Sequence, residues 1–361
     1  QPVDPAGPFR AMQGGGKRTE KPNRWALFRR VFDVEAAHKN AILKITCDGK
    51  YHLFVNGVRA SVGPARCSPL FQRYDEVDIG PHLKPGRNVL AVLVHVYGVD
   101  TAWHETVKGM WQPTFGDGAL WVSGPETLGL DTAKGWRGIE TDAWSQDVPR
   151  ANHALDFIEV LDARKLPEGW TAPEFDDAAW PDAQILTWGG GGPEANFGGM
   201  TIQPFTTLVR NELPPMWEGP IQPKRLLWIK HALSDPSLPL IDRLYTETLV
   251  DGEFKIRLED VVDGVTLRTG PGKDAMLLLD FGQIHAAYPW VELDAQGGET
   301  IELAASETLP GEWVAGGAKA DARIRRAPVL GNDAHLARYI AKPGAQRFQR
   351  FEWAALRYLQ V

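Results

Sequence analysis

Cysteine is nearly missing from this chain: Cys47 and Cys67 are the only ones in 361 residues. A single pair can form one disulfide across a short loop, worth about 3 kcal/mol in the chain-entropy view. Two buried free thiols fit the sequence equally well. The 9 histidines do not build a zinc site, because His52, His95, His104 and His153 are scattered, without H-x-x-x-H or C-x-x-C spacing. No apolar run approaches the roughly 18 residues of a membrane-spanning helix. Basic runs are also missing, and the formal net charge is −7, which argues against nucleic acid and anionic membranes as partners. The glycine-rich stretches at 13–16 and 189–192 lack the Lys-Ser/Thr and the following helix of a phosphate-binding loop. Sustained helical periodicity is absent. The polar, Gly- and Pro-rich start has no apolar signal core, so 1–24 reads as a leader or arm.

Tryptophan is abundant instead, at 14 residues. Such large rings belong mostly in cores, and any left over are candidate platforms for sugar rings, whose C–H faces pack on aromatic faces. From Trp25 the pattern is that of β-structure. Leu43, Ile45 and Cys47 alternate with Lys44 and Thr46, and Tyr51, Leu53 and Val55 alternate with His52. Asn56-Gly57 predicts a hairpin turn, and Pro85-Gly86 another. Val89 to Val96 is nearly all apolar and reads as a strand buried on both faces. Cys47 falls on the inward side of its strand and reads as core. A length of 361 residues exceeds one ordinary sandwich and implies two or three domains. We read a first sandwich over 25–205, a linker at 206–220 around Pro214-Pro215, and a second sandwich over 221–361. The second carries the strands Met276–Phe281, Trp290–Leu293, Thr300–Leu303 and Arg338–Ile340. The expected fold class is therefore all-β with little helix.

Several motifs fall in a fixed order. In the first half they are GKYHLFVNGVRA from Gly49, YDEVDIGPHLKPGRNVLAVLV from Tyr74 and GWRGIETDAW from Gly135. Asp162-Ala163-Arg164, Gly169-Trp170 and Asp176-Asp177 with Trp180 follow. In the second half come Asp280-Phe281-Gly282-Gln283, Gln296-Gly297-Gly298 and Arg357-Tyr358. Together they resemble the N-terminal non-catalytic β-sandwich domains of the bacterial α-L-rhamnosidase family of glycoside hydrolases. The resemblance covers roughly 25–361. It implies a galactose-binding-type jelly roll followed by a second antiparallel β-sandwich. It also implies a catalytic (α/α)6 toroid, in the same chain or another, that carries the acid and base carboxylates. This chain departs from the family at Ile284, where Asn follows D-F-G-Q, at Ala355, where Gly precedes the closing motif, and at Val160 and Leu161 before Asp162.

No catalytic residue is expected within these residues. Asp156, Glu159, Asp162, Asp176 and Asp177 are the carboxylates in the right stretch, and loop carboxylates more often cap turns than cleave bonds. The resemblance implies a calcium-dependent sugar site there, with Asp156, Glu159 and Asp162 as oxygen ligands and with Glu159, Asp162 and Arg164 touching the sugar. A second candidate is the loop from Tyr97 to Trp111, where Tyr97, Trp103, His104 and Trp111 leave a buried strand at a sandwich rim; an aromatic plug is the alternative. The expected partner is a rhamnose-containing glycan or glycoside, besides the toroid. The expected compartment is the periplasm or the exterior. A stand-alone carbohydrate-binding or adhesion protein is the alternative function, and a lyase or hydrolase using rim His and Glu residues is a third.

Overall fold

The structure, a computed structural model, describes residues 22–36, 40–67, 71–98, 118–132, 134–151, 157–184, 207–214, 216–235, 237–252, 254–267, 269–309, 323–324 and 335–361. The described residues of Gln1–Asp147 and Leu166–Pro214 form one compact unit; those of Val148–Asn152, Phe157–Lys165 and Pro215–Val361 form the other.

The first unit is built from β1 (Arg24–Val34), β2 (Ile42–Cys47), β3 (Lys50–Val55), β4 (Val58–Gly63), β5 (Gln72–Asp78), β6 (Gly86–Val96), β7 (Leu120–Ser123) and β8 (Arg137–Glu140). After β9 (Glu159–Asp162), which joins the other unit, β10 (Leu208–Arg210) returns to this one. Two sheets result, a five-stranded one in the order β4-β3-β6-β1-β8 and a four-stranded one in the order β10-β5-β2-β7. The alternation read from sequence sets the inner face: Leu43, Ile45, Cys47, Tyr51, Leu53 and Val55 are all 0 % exposed and pack with Leu90, Val92, Val94 and Val122. Such a face is what period-2 patterning produces when one side meets a second sheet. β6 lies between β3 and β1, and Val89 to Val96 is buried throughout, on both faces.

The Asn56-Gly57 turn joins β3 to β4, with Val55 opposite Val58 and positive φ of 51° and 85° at the two turn residues. Both tolerate that conformation at low cost. The Asn56 side chain also reaches back into the sheet. It donates to Asn88 at 2.8 Å and accepts from the Val89 N–H at 2.9 Å. The asparagine of the turn and that of the G-x-N strand therefore satisfy one another.

The second unit contains β11 (Arg225–Leu233), α1 (Leu240–Thr246), β12 (Leu249–Val250), α2 (Leu258–Asp263), β13 (Lys273–Ala287), β14 (Trp290–Ala295), β15 (Thr300–Ser306), β16 (His335–Ile340), β17 (Gly344–Gln349) and β18 (Ala354–Gln360). Seven strands pair in the order β12-β11-β13-β18-β15-β16-β9, and β14 pairs with β17 as a separate ribbon. The ladders are antiparallel, apart from β9 beside β16 and, in the first unit, β10 beside β5. Leu277, Leu278, Leu279, Leu303, Leu336, Tyr339, Leu356 and Leu359 are buried in its core. The β13–β18 register shifts between Asp280 and His285, and Gly282 takes a φ of +85° there, as a bulge requires of glycine. Asp280 is 0 % exposed at this kink. It accepts from Arg357 Nε at 3.1 Å, from the Gly282 N–H at 2.7 Å and from Arg225 Nη2.

Candidate functional site

Glu159 opens β9, where it is 6 % exposed. Its carboxylate accepts the Phe351 N–H at 2.8 Å, so it anchors β9 beside β16 and the last turn of the chain. At the other end of β9 the Ala163 N–H donates to the Ile340 carbonyl at 2.9 Å. Asp162 is engaged by Arg164 in a two-point pair, Nε to Oδ1 and Nη2 to Oδ2, both at 2.8 Å. That hydrogen bonding, opposed by a smaller burial effect, holds the Asp162 carboxyl below the usual range. The Arg164 side chain is half exposed. Asp156 lies outside the described residues, so two of the three expected calcium ligands are placed, and each has a protein partner. Among the described residues no three His, Cys, Asp or Glu side chains converge as a metal site.

The segment after β9 returns to the first unit and straps the outer face of its five-stranded sheet. Leu27 and Arg29 of β1 point to that face, beside Leu93 and Ala91 of β6. Arg29 is fully buried. Its guanidinium donates to the Trp170 carbonyl, to the Ala172 carbonyl at 3.2 Å, to the Phe175 carbonyl at 3.3 Å and to Asp177 at 2.9 Å, and it lies over the Phe175 ring at 4.9 Å. Burial lowers its pKa, and the Asp177 contact offsets part of that. Asp177 also pairs with Arg137 at 3.2 Å, and Asp176 caps the turn by accepting the Ala178 N–H at 2.9 Å. Trp170 is buried edge-on to Phe54 at 5.8 Å, and Trp180 meets Phe175 at 5.6 Å. The two adjacent carboxylates are therefore fasteners. Nothing in the local sequence names Arg29 as their partner, because 148 residues separate it from Asp177.

At the start of the rim loop, Tyr97 is 1 % exposed and packs on His95 at 4.6 Å between ring centroids. Trp103, His104 and Trp111 lie outside the described residues. His95 stacks on Trp25 at 3.9 Å, and Trp25 stacks in turn on Trp144 at 4.7 Å. One ring nitrogen of His95 meets Asn23 Oδ1 at 2.8 Å. Full burial, with a small contribution from Lys50, lowers the His95 pKa to about 3, so it is a neutral core imidazole at physiological pH. Cys47 is a buried free thiol and Cys67 a partly buried one, which settles the two cysteine alternatives in favour of thiols. Burial raises both pKa values, the opposite of what a thiolate nucleophile needs.

Sequence reading passed over one group of side chains. Lys44 and Thr46 face away from the core on β2, opposite Ser123 and Trp121 of β7. Tyr74 and Glu76 share that face on β5, with Glu76 opposite Lys44. The rings of Trp121 and Tyr74 meet edge-on at 5.8 Å, and Lys44 Nζ lies 5.7 Å above the Tyr74 ring. The outward register of Lys44 was the available signal; Trp121 lies in a strand too short to show a pattern.

Residues 36–198 match the α-L-rhamnosidase N-terminal domain family, and residues 271–361 match the bacterial α-L-rhamnosidase concanavalin-like domain family. An α-L-rhamnosidase of Streptomyces avermitilis is 27% identical over 172 residues, which is 47% of this chain and 13% of that protein. The crystal structure of the GH78 family rhamnosidase of Bacillus sp. GL1 aligns with a TM-score of 0.66 at 18% identity, covering 96% of this chain and 52% of the other. The α-L-rhamnosidase structure from Dictyoglomus thermophilum aligns at 0.59 with 16% identity, covering 95% of this chain and 33% of the other. At these identities the structural likeness speaks for the fold. The chain thus spans about half or less of the length of each of these relatives.

Proposed function

The chain belongs to the bacterial α-L-rhamnosidase family, and from that premise we propose that it is the non-catalytic N-terminal part of a larger rhamnosidase. Its two β units support and wall a catalytic (α/α)6 toroid, supplied in the same chain or by another, and they hold rhamnose-containing glycans. Glycoside hydrolysis needs two carboxylates facing one bond, about 5–5.5 Å apart for retention or about 6.5–9.5 Å for inversion. The observation that carries the reading is that the described acids of the candidate stretch are all structural acceptors. Glu159 serves Phe351, Asp162 serves Arg164, Asp176 serves its own turn, and Asp177 serves Arg29 and Arg137.

Calorimetric titration with methyl α-L-rhamnopyranoside, with and without calcium, tests the glycan-holding part. Saturable heat is expected. Calcium dependence would bring Asp156, Glu159 and Asp162 back as ligands. The absence of heat under both conditions would reduce the role to a scaffold.

A further inference from the structure

We propose that the outer face of the four-stranded sheet is a saccharide platform, on which one pyranose ring of a rhamnose-containing glycan stacks against Trp121 and Tyr74 and is hydrogen-bonded by Lys44 and the Glu76–Arg210 pair. The proposal rests on the glycan-holding reading and gives it a location outside the Asp156–Arg164 stretch and the rim loop.

The inner face of the same sheet is already complete, with Leu43, Ile45 and Cys47 at 0 % exposure and Val122 at 1 %. The aromatic pair on the opposite face is thus not needed for the core. Trp121 and Tyr74 are each half-buried, on the strands that flank β2. Between them the floor is Thr46, 0 % exposed, whose hydroxyl donates to the Arg73 carbonyl at 2.7 Å and accepts from Gln72 at 2.9 Å. The floor therefore offers no free polar group. The two rings meet edge-on across Thr46, 5.8 Å between centroids, so they close over it and leave one continuous aromatic surface on which a single six-membered ring can lie.

Polar groups border this aromatic floor. Ser123, Lys44 and Glu76 form the adjoining row across β7, β2 and β5, and Arg210 of β10, whose side chain is 63 % exposed, pairs with Glu76 at 2.8 Å. The Trp121 indole N–H, the Tyr74 hydroxyl and the Lys44 ammonium have no hydrogen-bond partner among the described residues. Lys44 and Arg210 balance Glu76 and Asp78 on this face, so no single sign of charge prevails. An apolar floor, a border of donors and one carboxylate, and no net charge suit a neutral, hydroxyl-rich ring. A phosphorylated or polyanionic ligand would call for a one-signed cluster.

The test is an NMR titration of the full chain, labelled at its tryptophan indole nitrogens, with methyl α-L-rhamnopyranoside. The Trp121 signal is identified by its loss in Trp121→Phe. A saturable shift of that signal is expected, and calorimetry should show binding weakened about tenfold or more in Trp121→Ala. Lys44→Gln, which leaves the aromatic pair in place, should weaken binding severalfold and guards against a fold defect in Trp121→Ala. Binding undiminished in both variants would overturn this location while leaving the glycan reading intact. No binding by the unaltered chain would overturn both.

Discussion

Arg29 is 0 % exposed, and four acceptors surround its guanidinium: three backbone carbonyls of the strap and the Asp177 carboxylate. A buried cation so fully satisfied is costly to remove, because its partners lose their donors without regaining water. Arg29→Met is expected to lower stability by about 3–5 kcal/mol, read as a fall in the urea midpoint of the first unit. His95 adds a pH dependence. Its folded pKa, about 3, lies below the unfolded value of about 6.5. The unfolded chain therefore binds the proton first, and stability falls as pH drops through that window. The expected slope is up to about 1.4 kcal/mol per pH unit between about pH 6 and pH 4. Urea unfolding of His95→Gln should show a shallower acid slope than the parent chain.

At the scale of the element, two carboxylates fasten strands and respond to pH with opposite signs. Asp75 of β5 accepts from the Tyr51 hydroxyl at 2.6 Å and from Asn211, just past β10, at 2.7 Å. Burial raises its pKa despite both bonds. Its contribution to stability is therefore fullest below the unfolded carboxyl pKa and is lost as pH rises through the folded value. Asp75→Asn keeps an acceptor for Asn211 and turns a donor toward Tyr51. It should be more stable than the parent at neutral pH, with the gain vanishing below about pH 4, as thermal melts across pH would record. Asp280 behaves the other way. Burial pushes its pKa up, but bonds from Arg357, Gly282 and Arg225 outweigh that and lower it, so its contribution is lost on acidification. Arg357→Leu leaves Arg225 as the one cation on a buried carboxylate and should cost about 3 kcal/mol; denaturant unfolding of the second unit reads the loss.

Those elements also mark what the sequence can reveal. Alternation placed β2 and β3, the Asn56-Gly57 hairpin placed the turn, and the unbroken run at Val89–Val96 placed a central strand, because each signal lies within a few residues. The D-F-G-Q and closing R-Y motifs were legible as separate marks. Their meaning, one Asp280–Arg357 contact 77 residues apart in sequence, was not. The same holds for β9. Val160 and Leu161 stood out in the sequence only as departures from the family pattern; they are buried in a strand, and nothing local says that it runs parallel to β16. Among the candidate site residues, Glu159, Asp162, Arg164 and Tyr97 are placed, each against a neighbour in its own unit. The Trp121–Tyr74 corner went unread because it exists only once β2, β5 and β7 are paired.

At the scale of the molecule, two β units alternate along one chain, and the motifs that carry the family resemblance prove to be joints. Asn56 locks to Asn88, Asp177 to Arg29, Glu159 to Phe351 and Asp280 to Arg357. Signature residues that hold strands together support the proposed non-catalytic role, and the net charge of −7 suits the proposed neutral glycan better than a polyanion. The most direct measurement is hydrolysis of 4-nitrophenyl α-L-rhamnopyranoside by these 361 residues alone. The account predicts release of nitrophenol no faster than in buffer. Sustained turnover that disappears in Asp162→Asn or Asp176→Asn, with the fold intact by circular dichroism, would contradict it.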